Sequence, residues 1–365
     1  MLSEIKLPVV HPIINGYSHF GSVFSIIGTD EDSYIPWFLS RFGQLFSDPV
    51  KKNKGLVINM DEPDWFPAKT NFCPFLDINI LNKEIIESEN KTNIVECMKA
   101  LIRDGYYLFM VLEQYYIPGS YGFGKYSYPH DVMLYGFNEN EKVFYIADNL
   151  SGKYRFSKCS FSQFESAYFS LEKRKDRLDS KICLLRKKSN SHEKFDLLRV
   201  VDTLHGYWKS ASPEIRSSNW SKSFSGCVKG LEVYNNLKEY IALLTHDEAI
   251  FDIRPFHALW EHKKIMVMRI QFMIDNGYII KSDKILENYK MIEKKSLSHR
   301  NLFIKYNFTK DIAIINRIIE GIDEIVVLEN ELIPSLLNSI CKSDNNINNK
   351  ILGLEMNHNL RWSLS

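Results

Sequence analysis

The stretch that most constrains this chain runs from Tyr128 to Asn149. It reads Tyr-Pro-His-Asp-Val-Met-Leu-Tyr-Gly-Phe, then Asn-Glu-Asn-Glu, then Lys-Val-Phe-Tyr-Ile-Ala-Asp-Asn. Two runs rich in β-branched and aromatic residues flank a polar turn, the pattern of two antiparallel strands joined by a short connection. With the turn at Asn138 to Glu141, the start of the first strand returns beside the end of the second, and His130 falls close to Asp148 and Asn149. Side chains alternate between faces, so a one-residue shift of register exchanges which of those two it meets. An imidazole beside a carboxylate or carboxamide at the end of a sheet is the base-and-orienter half of a nucleophilic triad. An ordinary buried hairpin with a polar end accounts for the same spacing, so a nucleophile has to come from elsewhere in the chain.

One candidate lies near the start, in Asn15-Gly-Tyr-Ser-His-Phe-Gly-Ser-Val-Phe-Ser-Ile-Ile-Gly28. Val23, Phe24, Ile26 and Ile27 suit a short buried helix that Gly28 ends, and Asn15 and Gly16 supply the preceding turn. Ser18 then stands at or just inside a helix N-terminus, where backbone N–H groups and the helix dipole stabilise a developing anion. The simpler role for such a serine is an N-cap.

Bulk properties narrow the classes. A chain of 365 residues accommodates two domains, each with its own core. A formal charge of +1 gives no field for gathering nucleic acid or anionic lipid, so neither is an expected partner. No apolar run approaches the ~20 residues that span a bilayer, and Met-Leu-Ser-Glu-Ile-Lys-Leu-Pro lacks the apolar core of a signal peptide. Cys73, Cys97, Cys159, Cys183, Cys227 and Cys341 are scattered without CxxC or metal spacing, which predicts reduced thiols in a cytosolic protein and no metal site.

Taken in order, residues 1–15 are expected to be extended, since Pro8 and Pro12 prevent an early helix. Trp37 to Phe46 and Asn93 to Asp104 read as helical or amphipathic segments, 61–74 as a surface loop, and Tyr106 to Leu112 as a central strand. Ser160-Phe-Ser-Gln carries a capping-box signature, and Ile182 to Leu185 reads as a closing strand. Arg186 to Glu193 is polar and linker-like, which sets a boundary near 190. Beyond it the period turns helical. Leu231, Tyr234, Leu237, Ile241 and Leu244 share one face; Phe256, Leu259, Trp260, Lys263, Met266, Val267, Ile270 and Met273 share a second, between Pro255 and Gly277. Ile312, Ile315, Ile318, Ile319 and Ile322 form a third. The division is therefore 1–188, 189–342 and an Asn-rich tail at 343–365.

Two motifs mislead. Gly119-Ser-Tyr-Gly-Phe-Gly-Lys125 fits a phosphate loop except that Tyr126 replaces the Mg²⁺-binding hydroxyl and a strand follows in place of a helix. It reads better as a pocket wall. His257-Ala-Leu-Trp-Glu-His262 has one residue too many for a zincin helix, and its histidines diverge.

Tyr17-Ser-His-Phe-Gly-Ser-Val-Phe-Ser-Ile-Ile-Gly28 resembles the nucleophile helix of the butirosin biosynthesis protein H family. Pro129-His-Asp-Val-Met-Leu-Tyr-Gly-Phe with Tyr-Ile-Ala-Asp-Asn149 is similar to its His and Asp strands, and Asp252 to Met266 resembles the helical half of relatives. The likeness covers roughly residues 10–340. It implies an α+β, papain-like domain related to bacteriocin-leader peptidases, with a central antiparallel sheet, followed by an all-helical domain. It also implies an acyltransferase or amide synthetase of natural-product biosynthesis, as in closthioamide biosynthesis. The acyl group would come from an acyl carrier protein, on its phosphopantetheine arm, and pass to a small amine acceptor; no cofactor is bound, and a homodimer is allowed for. In that reading Ser18, His130 and Asp148 are the triad, while Asn15, His19, Tyr128 and Asn149 line the oxyanion and substrate site. The family pattern has cysteine where this chain has Ser18. Serine is then the working nucleophile, a deliberate replacement of cysteine that traps substrate, or the mark of a degenerate relative; retention of His130 and Asp148 favours the first two. A peptidase or thioesterase using water, and a non-catalytic carrier-docking module, are the competing functions.

Overall fold

The computed structural model describes residues 3–60, 73–89, 93–171, 180–189, 191–211, 226–279 and 283–340. The loop expected at 61–74 lies almost wholly outside the described residues, as does the Asn-rich tail at 343–365. In chain order the first elements are β1 (Glu4–Lys6), α1 (Ser18–Ile27), α2 (Glu31–Leu39), β2 (Leu45–Ser47), β3 (Ile58–Met60), β4 (Leu76–Asn82), α3 (Lys83–Glu89), α4 (Ile94–Arg103), β5 (Tyr107–Glu113) and β6 (Pro129–Asn138). There follow β7 (Val143–Leu150), β8 (Lys153–Ser160), α5 (Phe161–Phe169), β9 (Lys181–Lys187), α6 (Leu197–Trp208), β10 (Val228–Lys229), α7 (Val233–Thr245), α8 (Arg254–Asp275), α9 (Asp283–Thr309) and α10 (Ile312–Asn338). The chain forms two compact units: Met1–Ile35 with Asp64–Glu193, and Pro36–Pro63 with Lys194–Ser365. The chain passes between them three times, after Ile35, Pro63 and Glu193. The first of these falls inside α2, and the first two together give 36–63 to the second unit, which a linear division at 188 does not provide for.

The first unit is built on an antiparallel sheet in the order β4-β9-β5-β6-β7-β8, with β1 beside β6. The apolar run of β5 is central, between β9 and β6, as its lack of alternation predicts. Strand β9 enters the interior of the sheet between β4 and β5, so the stretch read as a closing strand is not an edge. It runs on to Lys187, taking two residues from the expected linker. Leu108, Met110, Val132, Leu134 and Ile146 bury one face of the sheet with Met98 and Ile102 of α4 and Phe164 of α5. Both helices start where the sequence says. The Asn93 side chain accepts from the Glu96 N–H, and Ser160 and Gln163 form the reciprocal capping box.

The second unit contains α6 to α10 and a small sheet in the order β10-β2-β3. The expectation of an all-helical domain is corrected accordingly. Trp37 to Phe46 is likewise not one helix: α2 stops at Leu39, Phe42 takes a left-handed φ of 56°, and Leu45 and Phe46 enter β2. Lys263 sits on the buried face of α8. Its ammonium donates to both carboxylate oxygens of Glu329 (2.7 and 2.8 Å) and to the Tyr207 hydroxyl (2.8 Å), and neither charged side chain is exposed. His262 accepts from Lys263 at Nδ1 (3.1 Å), so Nε2 carries the proton and donates to the Gly43 carbonyl (3.1 Å). Burial, then the Lys263 charge, hold that imidazole far below its ordinary range. His257 pairs with Glu261 (3.1 Å) and with Arg300, and Arg254 pairs with Asp252, all inside this unit. Among the described residues no group of three His, Cys, Asp or Glu side chains is placed to hold a metal ion, and no helix is long and apolar enough to cross a membrane.

Candidate active site

The hairpin of β6 and β7 forms as expected, and one irregularity in it decides the site. Asn138 pairs with Val143 and Gly136 with Tyr145, but Leu134 pairs with Ile146 and Met133 with Ala147. Tyr135 thus has no counterpart and forms a β-bulge. Continued without that extra residue, the register from the turn would put Asn149 on the face of His130. With it, Asp148 takes that place. His130 shares its face with Val132 and Leu134, and Asp148 shares the same face with Ile146 and Leu150.

The resulting pair is close and braced. His130 Nδ1 lies 3.2 Å from Asp148 Oδ2 and also 3.2 Å from the Asp131 carbonyl oxygen. Asp148 is buried with both oxygens occupied. Oδ2 also accepts from Gln114 Nε2 at 2.6 Å, and Oδ1 accepts from the Asn149 N–H at 2.6 Å. The imidazole is 28% exposed and stacks on Tyr128, ring centroids 5.5 Å apart. Burial alone would lower its pKa. The Asp148 hydrogen bond and charge, with the Asp131 charge, outweigh that and raise it to about 9. The ring therefore carries a proton near pH 7.

Ser18 is the first residue of α1, and Tyr17, the N-cap, makes no side-chain capping bond. Nor does Ser18 act as a cap. Its hydroxyl donates to Asp131 Oδ2 at 2.8 Å, and not to His130. Consecutive strand residues project to opposite faces, so Asp131 points to the face that α1 covers while His130 points to the other. Asn149 is on the α1 face too, where its Nδ2 donates to the Asn15 backbone carbonyl at 2.9 Å. Beside it on β8, Tyr154 approaches Ser25 (3.2 Å) and lies so close to Gly21 that a Cβ there would overlap its ring. The Asp131 carboxylate stands against the helix N-terminus, where the dipole favours it. Burial nonetheless raises its pKa above the usual value, against the opposing His130 charge and Ser18 hydrogen bond.

No protein-family model matches this chain, and no curated protein matches it either.

The residues named from sequence are thus placed as follows. His130 and Asp148 meet directly; Ser18 reaches the residue next to His130; Tyr128 stacks on the imidazole; Asn15 and Asn149 join on the opposite face. His19 is half-buried between Tyr17 and Phe20, and burial pushes its imidazole down to about 4, so it is neutral near pH 7. Asp131 and Gln114 are the two contributors that sequence reasoning missed. Asp131 was visible as the neighbour of His130, but its role depends on α1 packing on that face. Gln114 carries no signal beyond its place two residues after Leu112. The glycine-and-tyrosine loop after Gln114 is not followed by a helix. It is pinned at its base by Glu113, which accepts from Ser127 Oγ and the Tyr128 N–H, each at 2.6 Å. It carries exposed Tyr115, Tyr121, Phe123, Tyr126 and Tyr128.

Proposed function

We propose that this chain is an acyltransferase of the amide-synthetase type, with a papain-like catalytic domain. Ser18 accepts the acyl group, the His130–Asp148 pair moves protons, and the first turn of α1 stabilises the oxyanion. The observation that carries this reading is the buried Asp148 fixing His130 by Nδ1, with Ser18, the first residue of α1, bonded to the neighbouring Asp131. Nδ1 is engaged, so Nε2 is the nitrogen left for the reacting groups. Tyr128, stacked on His130, and Tyr126 against it are exposed and offer an apolar wall for an acyl chain. A carrier-protein thioester is the donor and a small amine the acceptor.

The test uses an acyl N-acetylcysteamine thioester, which mimics the end of a phosphopantetheine arm, with hydroxylamine as the amine. Wild type is expected to give the hydroxamate by mass spectrometry, and Ser18→Ala and His130→Ala to lose it while still melting cooperatively. Turnover that survives Ser18→Ala would sink the proposal. The partial exposure of His130 favours one alternative, hydrolysis to the free acid, in which water takes the place of the amine.

A further inference from the structure

We infer that Asp131 is the base that activates Ser18, and that His130 with Asp148 serves the groups that leave and arrive on the other side of the acyl carbon. This rests on the acyl-transfer reading above. Two observations carry it. The Ser18 hydroxyl already donates to Asp131 Oδ2 at 2.8 Å, whereas His130 turns its Nδ1 to Asp148 on the opposite face of β6. Both are among the first residues of the strand, after Pro129, and the two roles require a substrate that reaches round this end of β6 to both faces. A serine hydroxyl needs more help than a thiol, and a carboxylate in direct contact supplies it.

The proton inventory closes. Attack forms a bond from Ser18 Oγ to the acyl carbon, and the hydroxyl proton passes to Asp131. Collapse breaks the bond from that carbon to the thioester sulfur, which takes a proton from the His130 imidazolium. The amine then attacks the ester carbon and gives its surplus proton to His130. As the bond to Oγ breaks, Asp131 returns its proton to Ser18. The enzyme ends as it began, and the products are amide and thiol. The charge states agree: the ring resting as imidazolium is an acid and cannot first act as a base.

The Ser18 hydroxyl on α1 and Cys183 on β9 lie on the Asp131 face, and the charges of His130 and Asp148 act on Asp131 from the other face. The Cys183 thiol is pushed up to about 12, by burial first and then by Asp131, so it stays neutral over the range tested.

The experiment is labelling of the full chain by a fluorophosphonate–rhodamine probe, with Ser18→Ala as the background. Wild type is expected to label at Ser18, and Asp131→Asn, which keeps a hydrogen-bond acceptor, to label about 100-fold more slowly or worse. Labelling of Asp131→Asn within threefold of wild type, with Ser18→Ala blank, would leave the acyl-enzyme standing and overturn the role of Asp131. A wild type that does not label at all removes the acyl-enzyme and this inference with it. If Asp131→Asn shows no cooperative melt, the pH profile of wild type decides. A carboxylate base gives a labelling rate that is flat from about pH 6.5 to 8.5. A rate climbing about tenfold per pH unit over that range would assign the base to His130 and overturn the inference.

Discussion

A histidine flanked by two carboxylates is ruled by the balance between losing water and gaining neighbours. For His130 the neighbours win, and the folded pKa lies at about 9 against an ordinary 6.5. A group whose pKa rises on folding adds stability that is complete below the unfolded value. That contribution is lost as pH climbs through the folded one. The His130 contribution is thus full below about pH 6.5 and fades towards 9. Asp148→Asn removes the hydrogen-bonded charge, so NMR of the His130 Cε1 proton should show the titration midpoint fall well below 9, and the fade in stability should shrink and move to lower pH. An unmoved midpoint would mean that Asp131 alone holds the proton. Gln114→Ala takes a donor from a buried carboxylate and is expected to cost about 1.5–3 kcal/mol in a denaturant melt.

At the scale of elements, the approach of α1 to the sheet is set by what is missing from Gly21. A methyl group there would overlap the buried Tyr154 ring, so Gly21→Ala should push the helix outward. The expected cost is about 1–3 kcal/mol of stability, together with slower fluorophosphonate labelling of Ser18. Labelling at the wild-type rate would separate the nucleophile from this packing. This scale also shows what a sequence can and cannot disclose. The β6–β7 hairpin was legible because its alternation and turn are local, as was the capping box at Ser160. The bulge at Tyr135 was not, because Tyr135 is as apolar and aromatic as its neighbours and only the pairing reveals it. Leu45 and Phe46 read as helix because a short buried strand has too few residues to declare its period. The stripe of α9 was hidden by buried Ser296 and His299, which interrupt Leu286, Tyr289, Ile292 and Phe303. Ser18 could be placed at a helix start from sequence, but its partner could not, since Asp131 and His130 differ only in which way they face.

At the scale of the whole molecule, the second unit encloses a lysine–glutamate pair with no access to water. Replacing one partner strands the other, so Glu329→Leu is expected to destabilise by about 3–5 kcal/mol, read from urea unfolding followed at the helical signal. The same unit draws on residues far upstream. Arg269 donates to the Leu39 carbonyl at 2.7 Å and also to that of Arg41, and His262 to that of Gly43. A fragment of 194–365 alone leaves these buried donors without acceptors. It should not melt cooperatively, whereas the same fragment with 36–63 joined through a flexible linker should. This borrowing also has a consequence in time. On the ribosome β2 emerges roughly 180 residues before β10, the strand it pairs with, which at ordinary elongation rates is a wait of roughly 10–35 s. For that interval β2 can pair with β3 alone, its other edge stays open, and the nascent chain is then at its most exposed to chaperones and to its neighbours on the same message.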